Sequence, residues 1–168
     1  MPKVTFEHDI LPLKNQLFRL ALRIVQSREE AEDIVQDTLL KAWNRRASWD
    51  KIENMESFLM ASCRNLALDR LKRSEHQNIS LDDEQTALST QISTHTSIEE
   101  QLLRQDRIKW VHTQMNRLPE KQRTCMQLRD VEGKAYKEIA EILGLTEEQV
   151  KVNIFRARQT IKEKIKQQ

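Results

Sequence analysis

Apolar residues recur at helical spacing along two long stretches of the chain, from about Leu11 to Leu71 and again from Ile98 to Ile165. The segment between them is rich in Ser, Thr, Gln and Asp and shows no sustained period. No stretch alternates apolar and polar positions in the way that indicates a half-buried strand. The pattern therefore predicts an all-α fold of two small helical domains joined by a flexible linker. We place the first domain at residues 1–74, the linker at 75–98 and the second domain at 99–168.

A first amphipathic helix is predicted to begin after Ser27, an N-cap residue with Glu30 three positions on. One side of this helix is an apolar stripe of Ala31, Ile34, Val35, Thr38, Leu39 and Ala42. The opposite side is acidic and carries Glu29, Glu32, Asp33, Gln36 and Asp37, with Leu40 at its centre and Trp43 beside it. An acidic face can simply be solvated, but large apolar groups within it favour a protein partner.

A second helix, from about Ser57 to Arg73, has a basic side instead. Its apolar stripe consists of Leu59, Met60, Cys63, Leu66, Ala67 and Leu71, and its other side carries Arg64, Asn65, Leu68, Lys72 and Arg73. Arg and Lys can hold phosphates and Asn can pair with a base edge, although basic side chains also extend over apolar surface into water. Trp49, in the polar segment before this helix, can stack on an unpaired base or cap the core, and its spacing leaves both open.

The C-terminal part of the chain has the pattern of a helix-turn-helix. Gly144 stands where a left-handed residue would end a first helix, and Thr146 with Gln149 forms a capping box for a second one. A small residue at Ala140 permits a close helix crossing, and Val150 anchors the second helix inward. This layout, joined to a basic second helix, predicts DNA binding.

The second helix of this motif has two distinct sides. Its core stripe is Val150, Ile154, Ala157, Ile161 and Ile165, and its outward side shows Glu148, Lys151, Val152, Phe155, Arg156, Gln159 and Lys162. Basic and amide groups on the outward side suit a DNA major groove. Val152 is an apolar group near the middle of that side, which predicts contact with a thymine methyl.

The charge distribution supports this interpretation better than the total does. A formal net charge of +2 is too weak to indicate nucleic acid by itself. Residues 75–98 contain no Lys or Arg and four acidic residues, whereas Lys and Arg far outnumber the single acid, Glu163, from residue 151 onward. A basic helix behind an acidic spacer is typical of a nucleic-acid-binding domain.

The sequence contains no sign of catalysis. It has no P-loop, no Gly-rich nucleotide loop, no metal-ligand spacing and no nucleophile beside a base in a known motif, so we expect no catalytic residue, metal or cofactor. Cys63 and Cys125 are expected to be buried free thiols. Because no signal peptide and no apolar run of ~18 residues is present, we expect a cytoplasmic protein that does not insert into membranes.

Together these residues resemble the extracytoplasmic-function sigma factors of the sigma-70 family over nearly the whole chain. The family's core-polymerase-binding helix is similar to EEAEDIVQDTLLKAW, and its promoter-melting helix is similar to SFLMASCRNLALDRLKR. Its reader of the promoter −35 element is similar to LPEKQRTCMQLRDVEGKAYKEIAEILGLTEEQVKVNIFRARQTI. The resemblance implies a region 2-like bundle, a region 4-like helix-turn-helix, and a transcription initiation factor that is not an enzyme.

The resemblance also implies a role for each set of residues. Docking on the clamp helices of the largest polymerase subunit is implied for Asp33, Gln36, Asp37 and Leu40. Recognition of the −10 element and strand opening are implied for Trp49, Arg64, Asn65, Lys72 and Arg73, with the loop around Trp49 holding a flipped base. Binding of the −35 element is implied for Thr146, Glu148, Gln149, Lys151, Val152, Asn153, Arg156 and Arg158.

Three of the −35 positions depart from the family's usual pattern. Glu148, Val152 and Asn153 stand where Gly, Ser and Arg are frequent, so the −35 sequence cannot be taken from a relative. The implied partners are core RNA polymerase, including the flap of its second subunit, promoter DNA and an anti-sigma factor. The alternative is a helix-turn-helix regulator that does not associate with core polymerase, which explains residues 99–168 but leaves the acidic face of the first domain without a role.

Overall fold

The computed structural model describes residues 4–77 and 98–167. Within these ranges the chain is helical and contains no strand, which confirms the all-α prediction. The helices are α1 (Lys14–Val25), α2 (Arg28–Asn44), α3 (Met55–Gln77), α4 (Ile98–Asn116), α5 (Glu120–Met126), α6 (Tyr136–Leu143) and α7 (Glu147–Lys166). A 3-10 turn (Arg46–Lys51) lies between α2 and α3, and a π-helical turn (Gln127–Val131) follows α5. Most of the expected linker, residues 78–97, falls outside the described residues.

The first domain is a bundle of α1, α2 and α3, whose apolar stripes meet in one core. Leu17, Leu20, Ile24, Ile34 and Leu59 are fully buried there. The Ser27 hydroxyl accepts a hydrogen bond from the Glu30 amide at 3.3 Å and caps α2 as the sequence predicts. The predicted stripes of α2 and α3 face this core, with Leu39, Leu66 and Leu71 partly buried at its edge.

The second domain contains the predicted helix-turn-helix. Gly144 ends α6 at a φ of +68°, in the left-handed region. Thr146 Oγ1 accepts from the Gln149 amide at 3.1 Å, and Gln149 Oε1 accepts from the Thr146 amide at 2.9 Å, which confirms the capping box. Val150 and the next three predicted stripe positions of α7 are buried. Ile165 is not, because the last turn of α7, residues 162–166, is exposed throughout.

The two domains pack against each other, which the sequence analysis does not predict. α1 contacts α5, and α3 contacts α6. One apolar cluster includes buried residues of both domains, among them Leu17 and Met60 from the first and Cys125, Leu128 and Ile139 from the second. The domains are therefore not independent in this structure, because part of the apolar surface of α5 and α6 is covered by the first domain rather than by their own.

Buried arginine side chains make polar contacts across this interface. Arg123 on α5 donates to the carbonyl oxygens of Arg23 and Ile24 at 3.1 and 2.9 Å, at the C-terminal end of α1. The last carbonyls of a helix have no partner inside it, so this guanidinium caps α1 from the other domain. Arg23 is itself buried and donates to Gln127 Oε1 and Asn116 Oδ1, both at 2.8 Å. Burial, together with the nearby charge of Arg123, lowers the pKa of Arg23 to about 10.

Candidate polymerase and promoter interfaces

The acidic face of α2 is exposed as the sequence predicts. Asp33, Gln36 and Asp37 are all exposed. Leu40 is 58% exposed and Trp43 44%, so two large apolar side chains lie within the acidic surface. Leu40 is the more open of the two, because the Arg46 guanidinium lies 4.5 Å from the centroid of the Trp43 ring. This surface, defined by these five residues, is called the acidic docking face below. A charged rim around exposed apolar groups is the composition of a protein-binding site.

Arg70, which the sequence analysis does not single out, orients this face from the neighbouring helix. Its guanidinium lies 3.4 Å from the Asp37 carboxylate and 3.8 Å from the Asp33 carboxylate. Both carboxylates remain more than half exposed, so each ion pair is weak and can exchange for a cation on a partner.

The structure places Trp49 in the core rather than on the surface. Trp49 is 8% exposed, and its Nε1 donates to the Ala42 carbonyl at 2.9 Å, near the end of α2. Its ring meets that of Trp43 edge to face, with centroids 6.2 Å apart. Of the two alternatives, Trp49 caps the core. The expectation that Trp49 offers its face to a base is therefore corrected here, because the indole N–H and most of the ring are already engaged.

The basic side of α3 is divided between solvent and the second domain. Asn65, Lys72 and Arg73 are exposed, as expected of residues that contact nucleic acid. Arg64 is 9% exposed, and its Nη2 lies 3.1 Å from Glu120 Oε1 on α5. The expectation that Arg64 is free to bind a phosphate is wrong for this conformation, because a carboxylate of the other domain occupies its guanidinium.

The outward side of α7 is open along its length. Thr146, Glu148, Gln149, Lys151, Val152 and Arg156 are all exposed, as predicted. Several of the −35 candidates have other partners. Thr146 and Gln149 are used in the capping box, and Lys151 Nζ lies 5.5 Å from the centroid of the Tyr136 ring. Asn153 donates through Nδ2 to the Gln149 carbonyl at 2.8 Å, and Arg158 pairs with Asp130 beside the π-helical turn. The hydrogen bonds to Asp130 raise the pKa of Arg158. The side chains free for DNA on α7 are therefore fewer than the sequence predicts.

The family models for sigma-70 region 2 and sigma-70 region 4 match residues 10–77 and 108–161. The chain is 30% identical over 144 residues to the extracytoplasmic-function sigma factor SigM of Mycobacterium tuberculosis, covering 85% of this chain and 68% of that one. It is 29% identical over 154 residues to a probable sigma factor, RfaY, of Xanthomonas campestris, covering 92% of this chain but 38% of that longer protein. The chain belongs to the extracytoplasmic-function sigma factors of the sigma-70 family. It is a transcription initiation factor that directs RNA polymerase, in a family of non-enzymatic proteins.

The fold of this sigma factor also matches a solved relative across both domains. The match is to the sigma factor RpoE in complex with the anti-sigma factor NepR from Bartonella quintana, with a TM-score of 0.72 and 26% identity. It covers 96% of each chain, so it includes both the region 2-like and the region 4-like domain.

The residues that join the two domains of the sigma factor have little signature in its sequence. Arg23 lies in an apolar run at the end of α1, and this charge among apolar residues is a signal in the sequence that marks it. Arg123 has no such signal, because it follows Lys121 and Gln122 in a largely polar stretch. Glu120 and Glu132 carry no such signal, because an acid on a helix or turn normally faces water.

Both cysteine thiols of the sigma factor, Cys63 and Cys125, are free and fully buried, as predicted. Burial raises the pKa of Cys63 to about 12 and the pKa of Cys125 to about 11. Among the described residues, no cluster of His, Cys, Asp and Glu could hold a metal ion. No helix within residues 4–77 and 98–167 is long and apolar enough to cross a membrane.

Proposed function

We propose that this sigma factor binds core polymerase through the acidic docking face, contacts the −10 element through α3 and the −35 element through α7, and assists strand opening. The observation that carries the proposal is the pair of uncovered surfaces of opposite character on one chain. One is acidic with apolar groups at its centre, on α2, and the other is basic with amides, on α7. A DNA-binding regulator needs the second surface and has no use for the first.

The acidic docking face suits the clamp helices of the largest polymerase subunit. Exposed ion pairs contribute only ~0–1 kcal/mol each, so the affinity must come largely from Leu40 and Trp43. Asp33 and Asp37 then set orientation and specificity, because opposed like charges across a packed contact cost several kcal/mol. A second contact, between the second domain and the flap of the second-largest subunit, is part of the proposal.

The −10 contact is proposed for the exposed part of α3. Asn65 offers an amide to a base edge, and Lys72 and Arg73 offer charge to phosphates. Trp49 is assigned a positioning role, since it fixes the turn Arg46–Lys51 that would hold the flipped base. Stacking and pocket contacts offset part of the few kcal/mol that unpairing costs.

An anti-sigma factor as partner and a cytoplasmic location are also part of the proposal. The anti-sigma partner is supported by the match to RpoE, which was solved with NepR, and the location by the match to sigma-70 regions 2 and 4.

The test is capture of core polymerase by the tagged full-length chain. Asp33→Arg with Asp37→Arg should abolish capture and transcription while circular dichroism stays unchanged. The matched control is Asp106→Arg with Glu141→Arg, which changes the net charge equally at two exposed positions of the second domain. Undiminished capture by the first double variant would remove the polymerase assignment and favour an ordinary helix-turn-helix regulator.

A further inference from the structure

α7 carries an apolar strip on the side that faces away from the core. Val152 is 45% exposed and Phe155, about one turn later, is 65% exposed. Rotation of the helix cannot bury them, because it would bring out Val150 and Ile154, which are 0% and 2% exposed. The strip is therefore a permanent feature of the outward side.

The surroundings of the strip identify what would cover it. Lys151 and Arg156 flank it and are exposed, and Lys162 follows on the same side. Cations beside an apolar centre fit a surface that is anionic at its edges and apolar in the middle. In the major groove, phosphates provide the edges and the thymine methyl is the apolar group between them.

We propose that Val152, with Phe155 beside it, recognises the methyl group of a thymine in the −35 element. This proposal rests on the proposed function of α7. Asn153, its neighbour, is turned back to the Gln149 carbonyl and does not compete for this contact.

The experiment measures binding of the holoenzyme to duplex promoters in which uracil, which lacks the methyl, replaces each −35 thymine in turn. Loss of one buried methyl should weaken wild-type binding about fourfold at the contacted position. Val152→Ser should bind thymine and uracil promoters alike. Ile165→Ser is the matched control, since Ile165 is 54% exposed on α7 but lies in the last turn, and it should keep the full uracil penalty.

The outcomes distinguish failure of the methyl contact from failure of the proposed function of α7. Preference for the −35 element over a scrambled duplex, without a uracil penalty at any position, overturns the methyl contact alone. Absence of any −35 preference overturns DNA recognition by α7 itself.

A second inference rests on the interdomain contacts. Arg64 of α3 is engaged by Glu120, Glu56 of α3 contacts the buried Lys134, and Arg19 of α1 pairs with Glu132 at 2.6 Å. We infer that these contacts form a latch, in which the second domain covers part of the DNA side of α3 until the two domains separate. The acidic docking face and the outward side of α7 stay exposed in the latched form. The latch therefore prevents strand opening but does not prevent the initial binding of core polymerase or of duplex DNA.

An exchange of charge between Arg19 and Glu132 tests the latch without altering any proposed polymerase or DNA contact. Arg19→Glu and Glu132→Arg each place like charges together, and the double variant restores an opposite pair. By small-angle scattering, the wild type should have a radius of gyration of about 15 Å, typical of a compact chain of this length. Each single variant should expand and the double variant should return to the wild-type value.

The transcription assay adds a functional readout. Each single variant should form open complexes with core polymerase several-fold faster than wild type, because the competent form is a larger fraction of the protein. Single variants that are as compact as wild type, or a double variant that stays expanded, would overturn the latch. Lost transcription with normal expansion would instead count against the proposed function.

Discussion

The two helices proposed to contact DNA, α3 and α7, share the same pattern of apolar and polar sides but differ in how far the polar side is exposed. Each has a buried apolar stripe and an outward side of basic and amide groups. The outward side of α7 is open, whereas Arg64 on α3 is buried against Glu120 of the second domain. Helical periodicity determines which side of a helix is apolar, but it carries no information about which polar side another domain will cover.

Under the proposed function, this difference means that the two helices act at different stages. α7 can meet duplex DNA without rearrangement, and α3 can use all of its basic groups only after the domains part. Recognition of the −35 element then precedes engagement of Arg64, which agrees with the order in which a promoter is first bound and then opened.

The largest effect is expected at the interface between the two domains. Arg123→Ala removes three hydrogen bonds, including the two that cap α1, and leaves buried carbonyls without partners. We expect a loss of about 3 kcal/mol in the free energy of unfolding, measured by urea titration. Lys121→Ala, at an exposed position on the same helix, should change it by less than ~0.5 kcal/mol. Equal values for the two variants would show that Arg123 does not cap α1.

The next effect separates the stages directly. Asn65→Ala, which leaves the contact between Arg64 and Glu120 intact, should slow open-complex formation on duplex promoters by about tenfold or more, and a pre-melted bubble should restore most of the loss. Lys151→Ala on α7 should weaken binding to both templates, since its contact is made to duplex that the bubble leaves unchanged. If the bubble rescues both variants or neither, the two helices do not act at different stages.

The sequence predicts the individual helices of the fold better than it predicts how they pack together. The capping box at Thr146, the left-handed Gly144 and the stripes of α2 and α7 depend on residues a few positions apart, and local periodicity predicts them. Burial of Trp49 and Arg64 depends on residues far away in the sequence or in another domain. Pairings over such separations have no local signature, so local periodicity predicts the exposed side of α7 better than that of α3.

A smaller effect follows from His112, which faces the interface from α4. Its Nδ1 contacts Arg23 of α1, and Arg107 and Asp130 line a groove of about 340 Å³ that His112 also borders. Burial and the charge of Arg23 lower the pKa of His112 from 6.5 to about 4, so the folded protein keeps it neutral. Between these two pH values the unfolded chain binds more protons, and stability therefore falls as the pH falls.

Urea midpoints measured from pH 7.5 down to pH 4.5 test this dependence. His112→Gln keeps an acceptor for Arg23 and has nothing to titrate, so its midpoint should decline less than that of the wild type. Lys109→Gln, at an exposed position of the same helix, should decline as the wild type does. Parallel curves for all three proteins would exclude His112 as a source of the acid sensitivity.

The smallest effect concerns Thr146, which has two possible roles at the start of α7. At the start of α7, the Thr146 hydroxyl and the Gln149 side chain each accept a hydrogen bond from the backbone amide of the other residue. At the start of α2, the Ser27 hydroxyl accepts one from the Glu30 amide. Thr146→Ala should cost ~1 kcal/mol of unfolding free energy, and Thr146→Ser, which retains the oxygen, should cost much less. If Thr146 acts on DNA only by capping, −35 affinity should fall in Thr146→Ala by less than about tenfold, a smaller change than a lost specific base contact can produce. A larger fall with unchanged stability would show that the hydroxyl contacts DNA directly and that its place in the cap is incidental.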